Sequence, residues 1–450
     1  MRRFWLLFLI AYAAPLAAQQ DTTRLPTGVR LGLIYQTLQR PLLAVRPFTA
    51  DFALAGVAEQ TYAIVRRDLD YSDRFEMYET PPQLAEGPVD YAQWNGLGVV
   101  YVVTGSVQPL GPDGVLLRLA LHDVVYGHIK EIRAFELPAG GTPEFRMAVH
   151  AAADEVVRWA TGQRGMAASR IAFVLSTADG GSELMVVDSD GENVQRIAAS
   201  SQTIMTPVWS PDGRRIAYTM LKPDGGWEVV ERDLSSGDVR VIAADAPLNL
   251  TPAYSPDGSR LALAVWSRTG TDIYAYDVAG ACCLEPLRTG PGEDMSPTYS
   301  PDGRQIAFMS DRIGQPHIYI MPAEGGEATL LTPYVYGEAG YYTAPDWSPQ
   351  SSLVAFTGRS RGRLQVMVAD SRDPGGTVRQ LTDSGSSEDP SWAPDGRHIV
   401  FKGVRAEGRG LYVMDAVSGR TRPLLLRGGV RLPDWSPSLQ EASAPAVRGE

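Results

Sequence analysis

The feature that most constrains this chain is a pentapeptide it writes again and again. Trp209-Ser210-Pro211-Asp212-Gly213 returns as Tyr254-Ser255-Pro256-Asp257-Gly258 and as Tyr299-Ser300-Pro301-Asp302-Gly303. Trp392-Ala393-Pro394-Asp395-Gly396 keeps four of the five positions, while Trp347-Ser348-Pro349 and Trp435-Ser436-Pro437 are worn copies. The prolines at 211, 256, 301, 349, 394 and 437 stand 45, 45, 48, 45 and 43 residues apart. A fixed period in that range belongs to stacked or radially arranged units. Within each copy, proline presets φ and glycine accepts the positive φ that other residues resist, so the motif is a tight turn.

The rest of each repeat has the same grammar. The aromatic ends one short strand, and an apolar strand follows the turn, as in Ile216-Ala217-Tyr218 or Ile306-Ala307-Phe308. A polar, Gly-bearing loop leads to a third strand such as Ile273-Tyr274-Ala275-Tyr276, and a fourth run ends in Leu-Thr, as at Leu331-Thr332 and Leu381-Thr382. Four short strands per repeat describe a propeller blade. No repeat holds an uninterrupted helical apolar pattern, so a helical solenoid is excluded. Ile171-Ala172-Phe173-Val174 has no aromatic-Ser-Pro segment before it, and the last such segment, 432–437, has no second strand after it. Joining these leftovers gives six blades, with the C-terminal strand as inner strand of blade one and no open sheet edge.

The expected fold class is a two-domain chain: a small N-terminal α/β domain, then a six-bladed β-propeller closed by the C-terminal strand. Residues 1–18 read as a secretory signal, with Arg2 and Arg3 as the basic start, an apolar stretch over 4–14 and Ala17-Ala18 as the small-residue exit. Residues 19–35 form a mobile leader with a short strand at 29–35, and 36–162 the α/β domain. In that domain helical spacing over 55–69, a short helix over 89–96 and an amphipathic helix over 143–160 alternate with strands over 42–48, 75–78, 98–107, 115–124 and 129–137. Gly162 stops the last helix. The propeller occupies 163–437 and a tail 438–450. No run of about 18 apolar residues occurs elsewhere, so the mature chain is expected to be soluble, monomeric and not membrane-spanning. A net charge of −11 argues against nucleic acid as a partner. The two cysteines, Cys282 and Cys283, are adjacent, which is poor geometry for a disulfide and too few ligands for zinc, so they are read as incidental.

With that plan on the page, the chain resembles the TolB family, periplasmic components of the Tol-Pal system of Gram-negative envelopes. Beyond the Ser-Pro-Asp-Gly blades, 99–107 is similar to the family's strand after its second helix. Thr161-Gly162-Gln163-Arg164-Gly165 followed by 169–174 is similar to its domain junction, and Val29-Arg30-Leu31 to its mobile N-terminal box. The resemblance implies a non-catalytic periplasmic protein without cofactors. Its propeller face would bind the peptidoglycan-associated lipoprotein Pal, and its N-terminal segment, carried here by Val29, Arg30, Leu31, Leu33 and Ile34, would bind TolA. Other outer-membrane or peptidoglycan-associated partners fit the same role in envelope integrity and cell division. The alternative is a TolB-like propeller that binds a peptide or glycan, or assists a secreted hydrolase.

The loops expected on the Pal face are those entering the inner strands and those between second and third strands. They carry Met205, Thr206, Asn249, Thr251, Arg268, Glu293, Asp294, Ser310, Asp311, Arg312, Tyr341, Tyr342, Glu388 and Asp389. Loops on one propeller face converge on the channel, the usual binding surface of the fold. Tyr334, Tyr336, Tyr341 and Tyr342 cluster in the longest inter-blade loop, where aromatics serve either as interface anchors or as packing. Catalysis is not expected. A propeller-gated peptidase would need a Gly-x-Ser-x-Gly hydrolase domain, and the five histidines (122, 128, 150, 317, 398) form no His-Glu-x-x-His pair. Asp188, Asp190, Glu192 and Asn193 faintly suggest a calcium loop, but the downstream glutamate is missing and a plain turn is the better reading.

Overall fold

The computed structural model describes residues 40–111, 114–243, 249–267, 270–288, 290, 292–334 and 340–439. The expected signal, the 29–35 strand, Tyr336 and Arg268 lie outside the described residues.

The N-terminal part is a mixed sheet packed against helices. Its strands are β1 (Leu42–Val45), β2 (Thr49–Ala50), β3 (Glu76–Tyr78), β4 (Tyr101–Leu110), β5 (Gly114–Asp123) and β6 (His128–Leu137). The order is β3-β1-β4-β5-β6, with β2 pairing β4; β1 runs parallel to β3 and β4, while β5 and β6 are antiparallel. Helices α1 (Ala55–Tyr71) and α3 (Pro143–Thr161) cover one face, and Trp94 of α2 (Tyr91–Gly96) packs on the other against Ala44 and Val102. Alternate β5 residues Val115, Leu117, Leu119 and Leu121 meet Val65 and Leu69 of α1 and Phe145, Val149 and Val156 of α3 in one buried cluster. The ends of α3 follow the expected chemistry. Thr142 accepts from the Phe145 N–H at 3.1 Å, Pro143 sits in the first turn, and Gly162 closes the helix at φ +77.

The propeller has six four-stranded antiparallel sheets in sequence order. Blade one takes its inner strand from Val430–Trp435, paired with Arg170–Ser176, which confirms closure by the C-terminal strand. The turn motif is held by its own side chains. In blade two the Ser210 hydroxyl donates to Asp212 Oδ1, which also accepts from the Arg214 N–H at 3.0 Å, while Ser210 Oγ accepts from the Arg215 N–H at 2.9 Å. Ser255 with Asp257 and Ser300 with Asp302 repeat the arrangement. Blade six has Ala393 in place of the serine, and Asp395 turns instead to His398 Nδ1 at 2.7 Å. The aromatic before each motif is buried between neighbouring blades; Trp209, Tyr254, Tyr299, Trp347, Trp392 and Trp435 are each less than 9% exposed.

One expectation is corrected. Cys282 and Cys283 form a disulfide at the start of the outer strand of blade three. The chain reaches it through left-handed backbone at Ala281 (φ +50) and Cys283 (φ +67), which ordinary turn reasoning does not anticipate.

Candidate functional site

The six inner strands converge on an axial channel, and their shared sequence explains its shape. Each carries a second proline, at 207, 252, 297, 345, 390 and 433, four residues before the proline of the turn motif. The residue before it has positive φ in every blade: Thr206 (+44), Thr251 (+48), Ser296 (+53), Ala344 (+50), Asp389 (+54) and Leu432 (+51). Pairing with the second strand slips at the same point each time, as between Met205 and Val208 or Glu388 and Ser391. Non-glycine residues rarely hold this conformation, and six in a ring mark a wall built at a conformational cost. The bulges turn this belt inward around a cavity of about 150 Å³.

The residues just after these prolines make a second belt: Val208, Ala253, Thr298, Asp346, Ser391 and Asp434. Where this position is polar, it accepts a backbone N–H from the next blade. Thr298 Oγ1 takes Trp347 at 3.2 Å, Asp346 takes Trp392 at 2.6 Å, Ser391 takes Trp435 at 3.0 Å and Asp434 takes Trp209 at 2.8 Å. Val208 and Ala253 have no acceptor, so this ladder runs from blade four through five, six and one, and ends at two.

Asp346, Asp389 and Asp434 are half-buried at the channel, yet protein surrounds them on most sides. Burial raises Asp346 to about 6 against the bonds it accepts from Trp392, Ser391 and Thr298. Burial and then the Asp346 charge push Asp434 well above the usual carboxylate range. Burial also raises Asp389, partly offset by Lys402. Carboxylates and hydroxyls gathered around one axis suit a hard cation or a cationic side chain, because either relieves the mutual repulsion. The residues lining this channel include no histidine, cysteine or lysine.

The residues expected on the binding face divide into groups. Thr206, Thr251 and Asp389 are not loop residues; they are the inward bulges that line the channel. Glu293, Asp294, Ser310, Asp311 and Arg312 make one network at blade four. Arg312 donates to Asp294 at 2.8 and 3.0 Å and to Ser310 Oγ at 2.8 Å, and lies 4.3 Å from the Tyr319 ring centre. Asp311 accepts from the Glu293 N–H at 2.7 Å, and Glu293 from the Thr271 hydroxyl. Lys402 donates to Glu388 at 3.2 Å. Arg359 lies 4.3 Å from the Tyr341 ring centre. Tyr342 packs edge-on against His317 and Phe356, which supports the packing reading for that tyrosine, whereas Tyr334 is 51% exposed. Met205 lies in the inner strand of blade two and Asn249 begins that of blade three. The belt residues Thr298, Asp346, Ser391 and Asp434 were not expected. The recurrence of the second proline was the signal that would have found them.

At the turn end of the blades, blades one and six meet the α/β domain. Asp188 and Asp190, in the turn after the third strand of blade one, pair with Arg146 of α3 at 3.4 and 2.7 Å, so the apparent calcium loop is a turn buried in a domain contact. The rim carrying the expected residues is therefore the face that the α/β domain leaves open.

A family model for the TolB amino-terminal domain matches residues 33–129, and one for the TolB beta propeller domain matches 157–439. A Tol-Pal system protein TolB from Bordetella pertussis is 33% identical over 394 residues, covering 86% of this chain and 87% of the relative. Those from Thioalkalivibrio sulfidiphilus and Methylococcus capsulatus are 35% and 34% identical over shorter stretches, and there the chain spans about half of the relatives' length (46% and 47%). The crystal structure of TolB from Acinetobacter baumannii superposes with a TM-score of 0.77 at 28% identity, covering 89% of this chain and 97% of that one.

Proposed function

This chain belongs to the TolB family of the Tol-Pal system, and from that premise we propose that it is a non-catalytic periplasmic scaffold. Its open propeller rim takes the lipoprotein Pal, and its N-terminal segment, with Val29, Arg30, Leu31, Leu33 and Ile34, takes TolA. The observation that carries the reading is the polarity of the propeller. The α/β domain sits at the turn end of blades one and six, while the other end presents a ring of bulged inner strands and rim side chains around a channel lined by Asp346, Asp389 and Asp434. Arg312, Glu388 and Tyr334 on that rim are the kind of charged and aromatic groups that anchor a protein interface. No helix among the described residues is long and apolar enough to cross a membrane.

Titration of the purified chain with the periplasmic domain of Pal tests this reading. Binding on the order of tens of micromolar or tighter is expected, and its absence would favour a different envelope ligand. Deleting residues 19–35 should remove TolA binding while leaving Pal binding in place. Loss of both would mean that the segment is structural.

A further inference from the structure

The seam between the α/β domain and the propeller contains two buried histidines in matching surroundings. His150 of α3 meets Asp68 of α1 through Nδ1 at 2.7 Å, and its Nε2 points at Asp190 of blade one at 3.7 Å. His398 of blade six meets Asp395 of its own turn through Nδ1 at 2.7 Å, and its Nε2 reaches Asp73, just after α1, at 3.3 Å. Both rings are fully buried. Each imidazole therefore stands between a carboxylate of its own domain and one from across the seam.

The other charges are arranged around these two contacts. Near His150, Arg67 of α1 and Arg146 of α3 both pair with Asp190, Arg146 and Arg170 pair with Asp188, and Glu192 sits 3.6 Å from Arg67. Asp154 of α3 also faces the ring, and Arg422 lies over Tyr71 of α1 at 3.8 Å. Near His398, Arg420 pairs with Asp70 and Asp73, Arg397 pairs with Asp415 and donates to the Asp73 carbonyl, and Arg74 lies alongside Arg397. Asp68, His150 and Asp190 are close enough to hold a metal ion. The guanidiniums of Arg67 and Arg146 already occupy Asp190, however, and a proton fits the site better than a second cation.

We propose that this seam is a proton-operated latch, in which imidazoliums at His150 and His398 clamp the end of α1 to blades one and six and their deprotonation loosens the α/β domain. Burial alone would discharge both rings. The facing aspartates outweigh it, raising His398 to about 9 and holding His150 above its ordinary value. Asp395 falls to about 2 for the same reason, after burial is overcome by His398. The clamp is thus complete below the ordinary imidazole value of 6.5 and is lost as pH rises through about 9. Asp395 contributes on the acid side, losing its hold only as pH falls through about 2.

Hydrogen exchange on the full chain tests the latch. Amides at the seam, Ser72, Asp73 and His398, are compared at each pH with Leu261 and Leu263 in the core of blade three. One histidine released from about 9 to its ordinary value makes seam opening rise about tenfold per pH unit between pH 7 and 9. That slope should flatten above pH 9 and fall in His398→Gln, where His150 alone is left to titrate. A wild-type slope of zero, or an equal slope in the variant, overturns the proposal. If the variant does not fold, NMR titration of the wild-type His398 ring decides: an imidazolium at pH 7.5 supports the latch and a neutral ring overturns it.

Discussion

Four of the six repeats end their inner strand in tryptophan, and the structure gives these four indoles different surroundings. Trp435 Nε1 donates to Ser169 Oγ at 2.7 Å, tying the C-terminal strand to the segment that enters blade one. The indole nitrogens of Trp209, Trp347 and Trp392 are buried without a partner among the described residues. Replacing Trp392 or Trp435 with phenylalanine removes a similar area from positions only 4% and 5% exposed, so the packing loss nearly cancels between the two. What remains is polar. Trp392→Phe removes a buried donor that costs about 1 kcal/mol or more to leave unsatisfied, whereas Trp435→Phe breaks a bond contributing about 1 kcal/mol and strands its acceptor. The second variant should therefore be less stable than the first by about 2 kcal/mol. Urea unfolding followed by near-ultraviolet circular dichroism reads this as a difference in the midpoint of the propeller transition. No titrating group takes part, so the gap should persist from pH 6 to 8. Equal midpoints, or the reverse order, would refute the argument that closure depends on that bond.

Three further outcomes are expected. In Gly165→Ala the new Cβ would lie 2.1 Å from Asp154 Oδ1, whose carboxylate accepts the Ala167 and Ala168 N–H groups at 2.9 Å each; a loss of about 1–3 kcal/mol in thermal denaturation is expected. Asp346→Asn acts in the opposite sense to most buried carboxylate changes. Because Asp346 is raised to about 6, ionising it costs stability as pH climbs from about 4 through 6. The amide should melt higher than wild type at pH 8 and together with it at pH 4. Channel water limits the gain to about 1–2 kcal/mol, less than the roughly 3 that a two-unit shift would give. Reducing the Cys282–Cys283 bond should shift stability by less than about 1 kcal/mol, because adjacent residues enclose no loop; a larger shift in a melting curve would contradict the loop-entropy account.

The proline period and the orphaned first and last strands were enough to read the ring, its six blades and its closure. The reason is physical: turn chemistry is local, and a turn at fixed spacing leaves few ways to bury apolar strands on both faces. The end of α3 was legible for the same reason, since Pro143 and Gly162 act within one helical turn. The channel was less legible. Thr206, Thr251 and Asp389 were expected in the loops entering the inner strands, whereas each lies within the strand, before a proline and at a bulge that bends the chain inward. The disulfide escaped because it depends on two left-handed residues that propensity does not forecast. The seam escaped because its partners lie far apart in sequence: Asp73 meets His398, and Asp68 meets His150.

Where the motif decays is informative in its own right. Blades two, three and four keep the full Ser-Pro-Asp-Gly turn, and their aspartates are used up holding it. Blade six loses the serine to Ala393, and the released Asp395 takes His398. Blade one, lacking the Asp-Gly after Pro437, sends Leu439 down against Met147 and Ala168 beside α3. Blade five replaces the aspartate with Gln350, whose amide donates to the Pro394 carbonyl of blade six at 3.1 Å. The same three blades supply Asp346, Ser391 and Asp434 to the channel, each one residue before the aromatic that leads into the turn. Regular repeats suffice to close a ring, but a ring of six identical blades would have identical ends and no preferred place for a second domain. The departures in blades five, six and one break that symmetry at the turn end and in the channel wall beside it. A single inner strand such as Ser386–Trp392 runs from the rim at Glu388 to the turn that holds His398. The channel carboxylates and the seam thus belong to the same irregular half of the propeller, and substitutions that restore the consensus motif there should lose docking of the α/β domain before they lose the ring.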